Sequence, residues 1–323
     1  MEIPISFSTV PFLVIIFLLI TRKKKTLNYP PGSLGWPFLG ETLEFLRAAN
    51  KEGKPEKFVR ERIEKYKSNI FKTSLMGETM VVLGSASGNK FLFSNENKQV
   101  TIWWPVTIRK ILGSCLITTV GEEAKLTRKM LSSFINPDAF SRLYIKAMEV
   151  VGQDHFKNYW EEHIEIASAK KEGEFLSWDD IQKMKYSWNV ISEVMRLTPP
   201  IMGAYREAIV DINYEGYHIP KGWKFYWNTA LTSLDSEFFP NATSLEPSRF
   251  EEAGPAPYTY VPFGGGPRMC VGKEFARLEI LVFLHILIRK FSWKLLIPDE
   301  KIIYDPMPTP VEGLPISLQP HNC

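Results

Sequence analysis

The segment Phe263-Gly-Gly-Gly-Pro-Arg-Met-Cys-Val-Gly272 constrains this 323-residue chain more than any other. Three glycines and a proline make a backbone that can approach a flat object closely, because no Cβ stands in the way. The stretch that follows, Glu274 to Phe291, is apolar enough to predict a buried helix. Cys270 therefore sits at a helix start, where unpaired N–H groups and the positive end of the dipole favour a thiolate. A lone cysteine reads as structural. This ten-residue pattern does not.

Composition removes several function classes. Lys+Arg of 39 against Asp+Glu of 36 leaves +3, too balanced for nucleic-acid binding driven by bulk charge. Three cysteines, an odd number, argue against a disulfide framework. Five histidines without CxxC or HExxH argue against zinc.

Along the chain, Ile3 to Thr21 carries no charge and is followed by Arg22-Lys-Lys-Lys25. About twenty apolar residues span a bilayer as a helix. Cations after the span place the bulk of the protein in the cytosol, and a retained anchor is expected over a cleaved signal. Residues 1–25 read as membrane anchor and basic stop, 26–40 as a stiff proline-rich hinge, and 41–323 as the domain proper. Helices are expected at Glu56–Tyr66, Gly121–Phe134, Met148–Lys170 (Trp160 and Ile164 toward a core) and Trp178–Leu197. Ser177 would cap the last and Pro199-Pro200 stop it. A hairpin is expected over Phe71–Leu83, turning at Met76-Gly77-Glu78. Strands are expected over Arg206–Asn228, with turns at Glu215-Gly216 and Lys221-Gly222.

A thiolate that accepts backbone N–H bonds is a good axial ligand for haem iron. Arg268, two residues before Cys270, could pair a haem propionate, and Phe263 could shield the sulfur. The loop resembles the haem-binding loop of the cytochrome P450 family, Phe-x-x-Gly-x-Arg-x-Cys-x-Gly, at every fixed position: Phe263, Gly266, Arg268, Cys270 and Gly272. Glu193-Val-Met-Arg196 is similar to the family's Glu-x-x-Arg, and at i,i+3 the two side chains can pair on one helix face. Arg249, in Glu246-Pro-Ser-Arg-Phe250, would complete a structural network behind the haem.

The resemblance implies a mainly α fold with small β-sheets. It also implies Cys270 as axial ligand of haem b, NADPH supplied indirectly through a cytochrome reductase, and an endoplasmic-reticulum location. Arg128 matches the family's propionate-binding arginine, although Ala124 stands where a tryptophan is often found, and Arg206 is a further propionate residue or a surface arginine. Lys273, Arg277, Lys125 and Lys129 would form a basic face for the reductase. Several stretches, Asn28–Gly40 and Trp178–Arg196 among them, resemble plant triterpenoid oxidases, beta-amyrin 28-oxidases included, and imply a lipophilic substrate.

The resemblance covers the first and last thirds of a full-length member. Only 65 residues separate Arg128 from Glu193. No Ala/Gly-Gly-x-Asp/Glu-Thr-Thr motif occurs in Glu149–Ser177, so the catalytic acid/threonine pair is absent and an internal gap lies between about 160 and 177. Three readings stand. One is an anchored monooxygenase; another is a truncated, non-catalytic form that binds haem weakly or not at all. A scaffold that never binds haem is the third.

Overall fold

The computed structural model describes residues 27–54, 56–134, 161–171, 174–298, 300–304 and 307–320. The expected anchor, Trp160 and most of the Met148–Lys170 helix lie outside them. Among the described residues no helix is long and apolar enough to cross a membrane.

The chain opens with helices α1 (Thr42–Asn50) and α2 (Lys57–Tyr66). The expected hairpin follows as β1 (Ile70–Leu75) and β2 (Glu78–Leu83), with left-handed Met76 and Gly77 at its turn. Helix α3 (Ala86–Ser94) is capped by the Ser85 hydroxyl, which accepts the Gly88 N–H at 3.1 Å. Then come β3 (Val100–Ile102), α4 (Val106–Leu112), α5 (Gly121–Phe134) and α6 (Glu161–Ser168). Helix α7 (Trp178–Lys183) is separated from α8 (Lys185–Leu197) by Met184. Strands β4 (Gly203–Ala208), β5 (Ile212–Tyr214), β6 (Tyr217–Ile219) and β7 (Lys224–Asn228) precede the short α9 (Thr229–Ser233). The apolar α10 (Lys273–Ile288) leads into β8 (Phe291–Leu295), β9 (Ile302–Tyr304), β10 (Pro308–Pro310) and β11 (Ile316–Pro320).

The main sheet has the order β1-β2-β7-β4-β3. β2 and β7 pair in parallel, the other neighbours antiparallel. Period-two alternation gives it two apolar faces. Val81, Leu83, Phe225 and Trp227 pack with Leu92, Phe93 and Val261 on one. Met80, Val82 and Tyr226 pack with Phe45, Phe58 and Phe71 on the other. Being buried on both faces, β7 holds the centre. A separate helical cluster joins Ile166, Ile181, Met184, Leu278, Leu281 and Ile286.

The proline-rich segment, where described, packs on the domain. The Lys72 N–H donates to the Pro31 carbonyl at 2.8 Å, the His218 N–H to Asn28 at 2.7 Å, and Tyr29 stacks on Trp223 at 5.5 Å. The long helix from Trp178 to Leu197 is two helices. Ser177 caps the first through a capping box with Asp180. The Glu162 carboxylate, from α6, accepts the N–H groups of Tyr186 and Ser187 at 3.1 and 3.2 Å and so caps the second. Ile164 does not face the core but is 41% exposed; His163 and Ile166 are the buried residues of α6.

His163 and His285 form a buried pair, Nδ1 to Nδ1 at 2.9 Å, and His163 Nε2 lies 3.0 Å from the Ser187 hydroxyl. Burial lowers both, and His285, further lowered by the charges of His163 and Arg289, falls to about 3. Both rings are neutral in the fold, whereas the unfolded chain titrates them near 6.5. Their stabilisation is present above about pH 6.5 and is lost progressively as pH falls toward the folded values. Thermal unfolding should occur at clearly lower temperature at about pH 5 than at about pH 7.5, with a shallower dependence in His285→Gln. An equal dependence in both proteins would remove the pair from this account.

Candidate active site

The glycine-rich loop rests on the C-terminal end of α3. Gly264 and Gly266 adopt left-handed φ values of 70° and 63°. A Cβ on Gly266 would run into the Phe93 carbonyl oxygen, and one on Gly265 into the Phe93 ring. Only glycine permits this approach. The Met269 N–H closes a 3-10 turn over Gly266–Arg268 by donating to Gly266 at 3.0 Å. The Cys270 N–H donates to the Phe263 carbonyl at 2.9 Å, and Gly272 is the N-cap of α10.

Cys270 lines a cavity of about 450 Å3. Its walls come from loop residues Phe263, Gly264, Gly265 and Arg268, from Ile102, Trp104, Leu112 and Ile117, and from Ile201, Ala204, Arg206 and Trp227. Arg128 of α5 is also there, donating to the Met269 carbonyl. Cys270 is exposed on this wall, and Phe263 is a wall residue of the same cavity. The segment after Pro200 reaches this cavity through Ile201, Gly203 and Ala204.

Arg206 is not a surface arginine. It is 4% exposed, and its Nε donates to Glu96 Oε2 at 2.6 Å. Burial holds its pKa down, with the charge of Arg268 adding to the effect and Glu96 opposing it. The Arg268 side chain is 5% exposed; its Nη2 donates to the Thr119 carbonyl at 2.6 Å and its Nε to Glu96 Oε1 at 3.4 Å. Arg128 is lowered by burial, then by Arg268.

Glu96 is a residue that sequence reasoning missed. It sits in Ser94-Asn-Glu-Asn-Lys98 with no pattern to mark it, and its two arginines are 110 and 172 residues away. The expected basic face is partly neutralised. Lys125 pairs with Glu122 at 2.5 Å, and Arg277 lies 3.8 Å from Glu274 with its guanidinium over Trp188.

The network behind the loop is formed by the expected residues. Glu193 and Arg196, both fully buried, make a two-pronged pair with Nε–Oε2 and Nη2–Oε1 at 2.7 Å. Arg249 Nε lies 3.3 Å from Glu193 Oε1. Arg196 Nη1 donates to the carbonyls of Ser233 and Ala242, each at 2.7 Å, and Nη2 to that of Ser244 at 3.2 Å. Burial works to raise Glu193, but hydrogen bonds from Arg196 and the Glu246 N–H, with the charges of Arg196 and Arg249, hold it below its ordinary value. The lock thus ties α8 to the loop segment 233–250. Phe250 then meets Tyr260 edge to face at 4.8 Å, just before the glycine loop.

The cavity fits haem on three observations. Among the described residues its walls carry three arginines and no acid, which suits a ligand with carboxylates. Arg268 Nη1 and Trp227 Nε1, from two wall residues, are buried without a hydrogen-bond partner. A cysteine and a glycine-only backbone meet beside an otherwise apolar wall.

A family model described as Cytochrome P450 matches residues 161–314. The chain is 37% identical to a beta-amyrin 28-monooxygenase of Vitis vinifera, over 91% of this chain and 93% of that protein. It is 36% identical to one of Medicago truncatula, over 95% and 96%. The Vitis alignment runs over 447 positions, more than the 323 residues here, so a long stretch of that relative has no counterpart. In fold, the chain is similar to a cyanobacterial CYP120A1 solved with retinoic acid, with TM-score 0.77 and 24% identity over 92% of this chain and all of that one. The cysteine loop, the buried Glu193–Arg196 pair and this identity across nine-tenths of the chain place it together: it belongs to the cytochrome P450 monooxygenase family and is related to the plant beta-amyrin 28-monooxygenases.

Proposed function

We propose that the chain derives from an endoplasmic-reticulum monooxygenase acting on a lipophilic triterpenoid of beta-amyrin type, with Cys270 as axial ligand of haem iron. The observation that carries this reading is the single cavity that brings together Cys270, Arg128, Arg206, Arg268 and an apolar wall. A thiolate-ligated haem supplies reductive activation of dioxygen, with electrons from NADPH through a reductase. The chain's own part is to present the Cys270 sulfur, pair carboxylates with the arginines, and surround a lipophilic molecule with Ile102, Trp104, Leu112 and Ile201. The names of the relatives support the substrate class.

Membrane anchoring through residues 3–21 with the domain in the cytosol belongs to the same reading. Trp36 (79% exposed) and Phe38 (97% exposed), beside Leu39 and Leu43, give the docked segment an apolar, aromatic surface of the kind found at membrane interfaces. Release of the protein by alkaline carbonate would overturn the spanning anchor.

A second reading concerns turnover. Ile111, Leu126, Met130 and Ile201 are all more than half exposed on or near the elements that wall the cavity. Together with the aligned stretch that has no counterpart, this supports a chain lacking its central helices and unable to enclose a pentacyclic substrate. Among the cavity walls no carboxylate stands ready to hand on a proton, and the Thr229 hydroxyl donates to the Ile201 carbonyl at 2.6 Å. Co-expression with a reductase and beta-amyrin should give oxidised product only when the central helices are restored from a relative. Comparable product from the short chain would overturn the truncation reading. No product from either would overturn the substrate class.

A further inference from the structure

The carboxylate of Glu96 has no place in the family resemblance, yet it lies at the centre of the arginine cluster. Its side chain is 1% exposed. One oxygen accepts from Arg206 at 2.6 Å and the other faces Arg268 at 3.4 Å. Both arginines wall the cavity of Cys270.

The fold places Glu96 there by two routes that start at the same end of α3. Glu96 bridges Val100, which opens β3, and β3 pairs with β4 so that Ile102 faces Arg206. Phe93, three residues before Glu96, is the surface on which Gly265 and Gly266 rest, and this brings Arg268 over. One short turn therefore sets both arginines. Two buried guanidinium groups side by side repel each other, and a shared carboxylate offsets that repulsion. With Arg128, the cluster holds three guanidinium groups against one carboxylate, a surplus that matches a ligand carrying two carboxylates. Arg268 Nη1, buried and unpartnered, is a donor left over for such a ligand.

We propose that Glu96 is a positioning residue, which holds Arg206 and Arg268 together as the anchor for the two haem carboxylates and sets the charge beside the ring. The inference rests on the haem reading above.

The test uses the full chain loaded with haem or with haem dimethyl ester, which lacks free carboxylates. Transfer of the ring to apomyoglobin and the ferric/ferrous potential are measured for wild type, Glu96→Gln and Glu96→Asp. Glu96→Gln should lose haem about tenfold faster, because two buried cations lose their counter-charge. It should also raise the potential, because a fixed negative charge near the ring is gone. Glu96→Asp keeps the charge but shortens the reach, so it should lose haem faster at an unchanged potential. With the diester, wild type and Glu96→Gln should release the ring at similar rates. A general folding defect would instead give the same penalty for both rings, and that result would overturn the proposal. So would haem loss from Glu96→Gln within about twofold of wild type with no change in potential. Wild type that takes up no haem would overturn the haem reading itself, and this inference with it.

Discussion

Cys270→Ser is expected to abolish the thiolate-type spectrum of the reduced, carbon-monoxide-treated protein completely, while the circular dichroism of the chain stays unchanged. The two halves of this expectation come from different parts of the structure. Cys270 is exposed on the cavity wall, and its backbone N–H, not its sulfur, closes the loop onto Phe263 at 2.9 Å. Serine keeps that N–H and nearly the same volume, so the loop should hold. What it lacks is the sulfur that, as a thiolate, ligates haem iron. Cys115 cannot substitute, because it lies outside the glycine loop, with its sulfur 3.5 Å from the Thr118 hydroxyl. An unchanged spectrum in the serine variant would remove Cys270 from the site.

The other large effect is expected at Arg196. Arg196→Met should leave the chain insoluble or unfolded at ordinary temperature. The substitution strands the Glu193 carboxylate, fully buried, without its two-pronged partner. It also removes the donors to the carbonyls of Ser233, Ala242 and Ser244. Breaking a buried pair from one side costs about 3–5 kcal/mol, a large share of the 5–15 kcal/mol that typically holds a domain together. Arg196→Lys should rescue little, since a single ammonium cannot reach both carboxylate oxygens and three carbonyls. Adding Glu193→Leu to Arg196→Met, which removes the stranded charge, should recover only part of the loss, because the three carbonyls stay undonated. Wild-type unfolding temperature in the lysine variant would show that the fork geometry is unimportant.

Much of this site is local in sequence and could be read there. The Phe263–Gly272 loop carries its own turn chemistry, and glycines at positions of positive φ announce a backbone that approaches something closely. The β1–β2 hairpin, α5, the Ser177 cap and the turns at Glu215-Gly216 and Gly222 are likewise short-range. Glu193 and Arg196 are three residues apart on one helix, so their pairing follows from helical spacing.

What the sequence could not show are partners chosen by chain paths that meet far from where they began. Period tells which residues share a face, but not what that face will meet. In α6 it favours Ile164, yet the helix packs His163 and Ile166 inward because His285 of α10 and Ser187 of α8 lie on that side. The same packing brings Glu162 to the N–H groups of Tyr186 and Ser187 and starts a new helix after Met184. Glu96 is the clearest case. Its residue type and neighbours are ordinary, and only the β3–β4 pairing together with the seat of the glycine loop on Phe93 delivers it to Arg206 and Arg268. The sequence by itself determined the cysteine, its loop and the pairing of Glu193 with Arg196, because those depend on neighbours a few residues away. Tertiary structure alone decided which carboxylate shares the arginines, since a charge gains a buried counter-ion only where two distant segments are desolvated against each other.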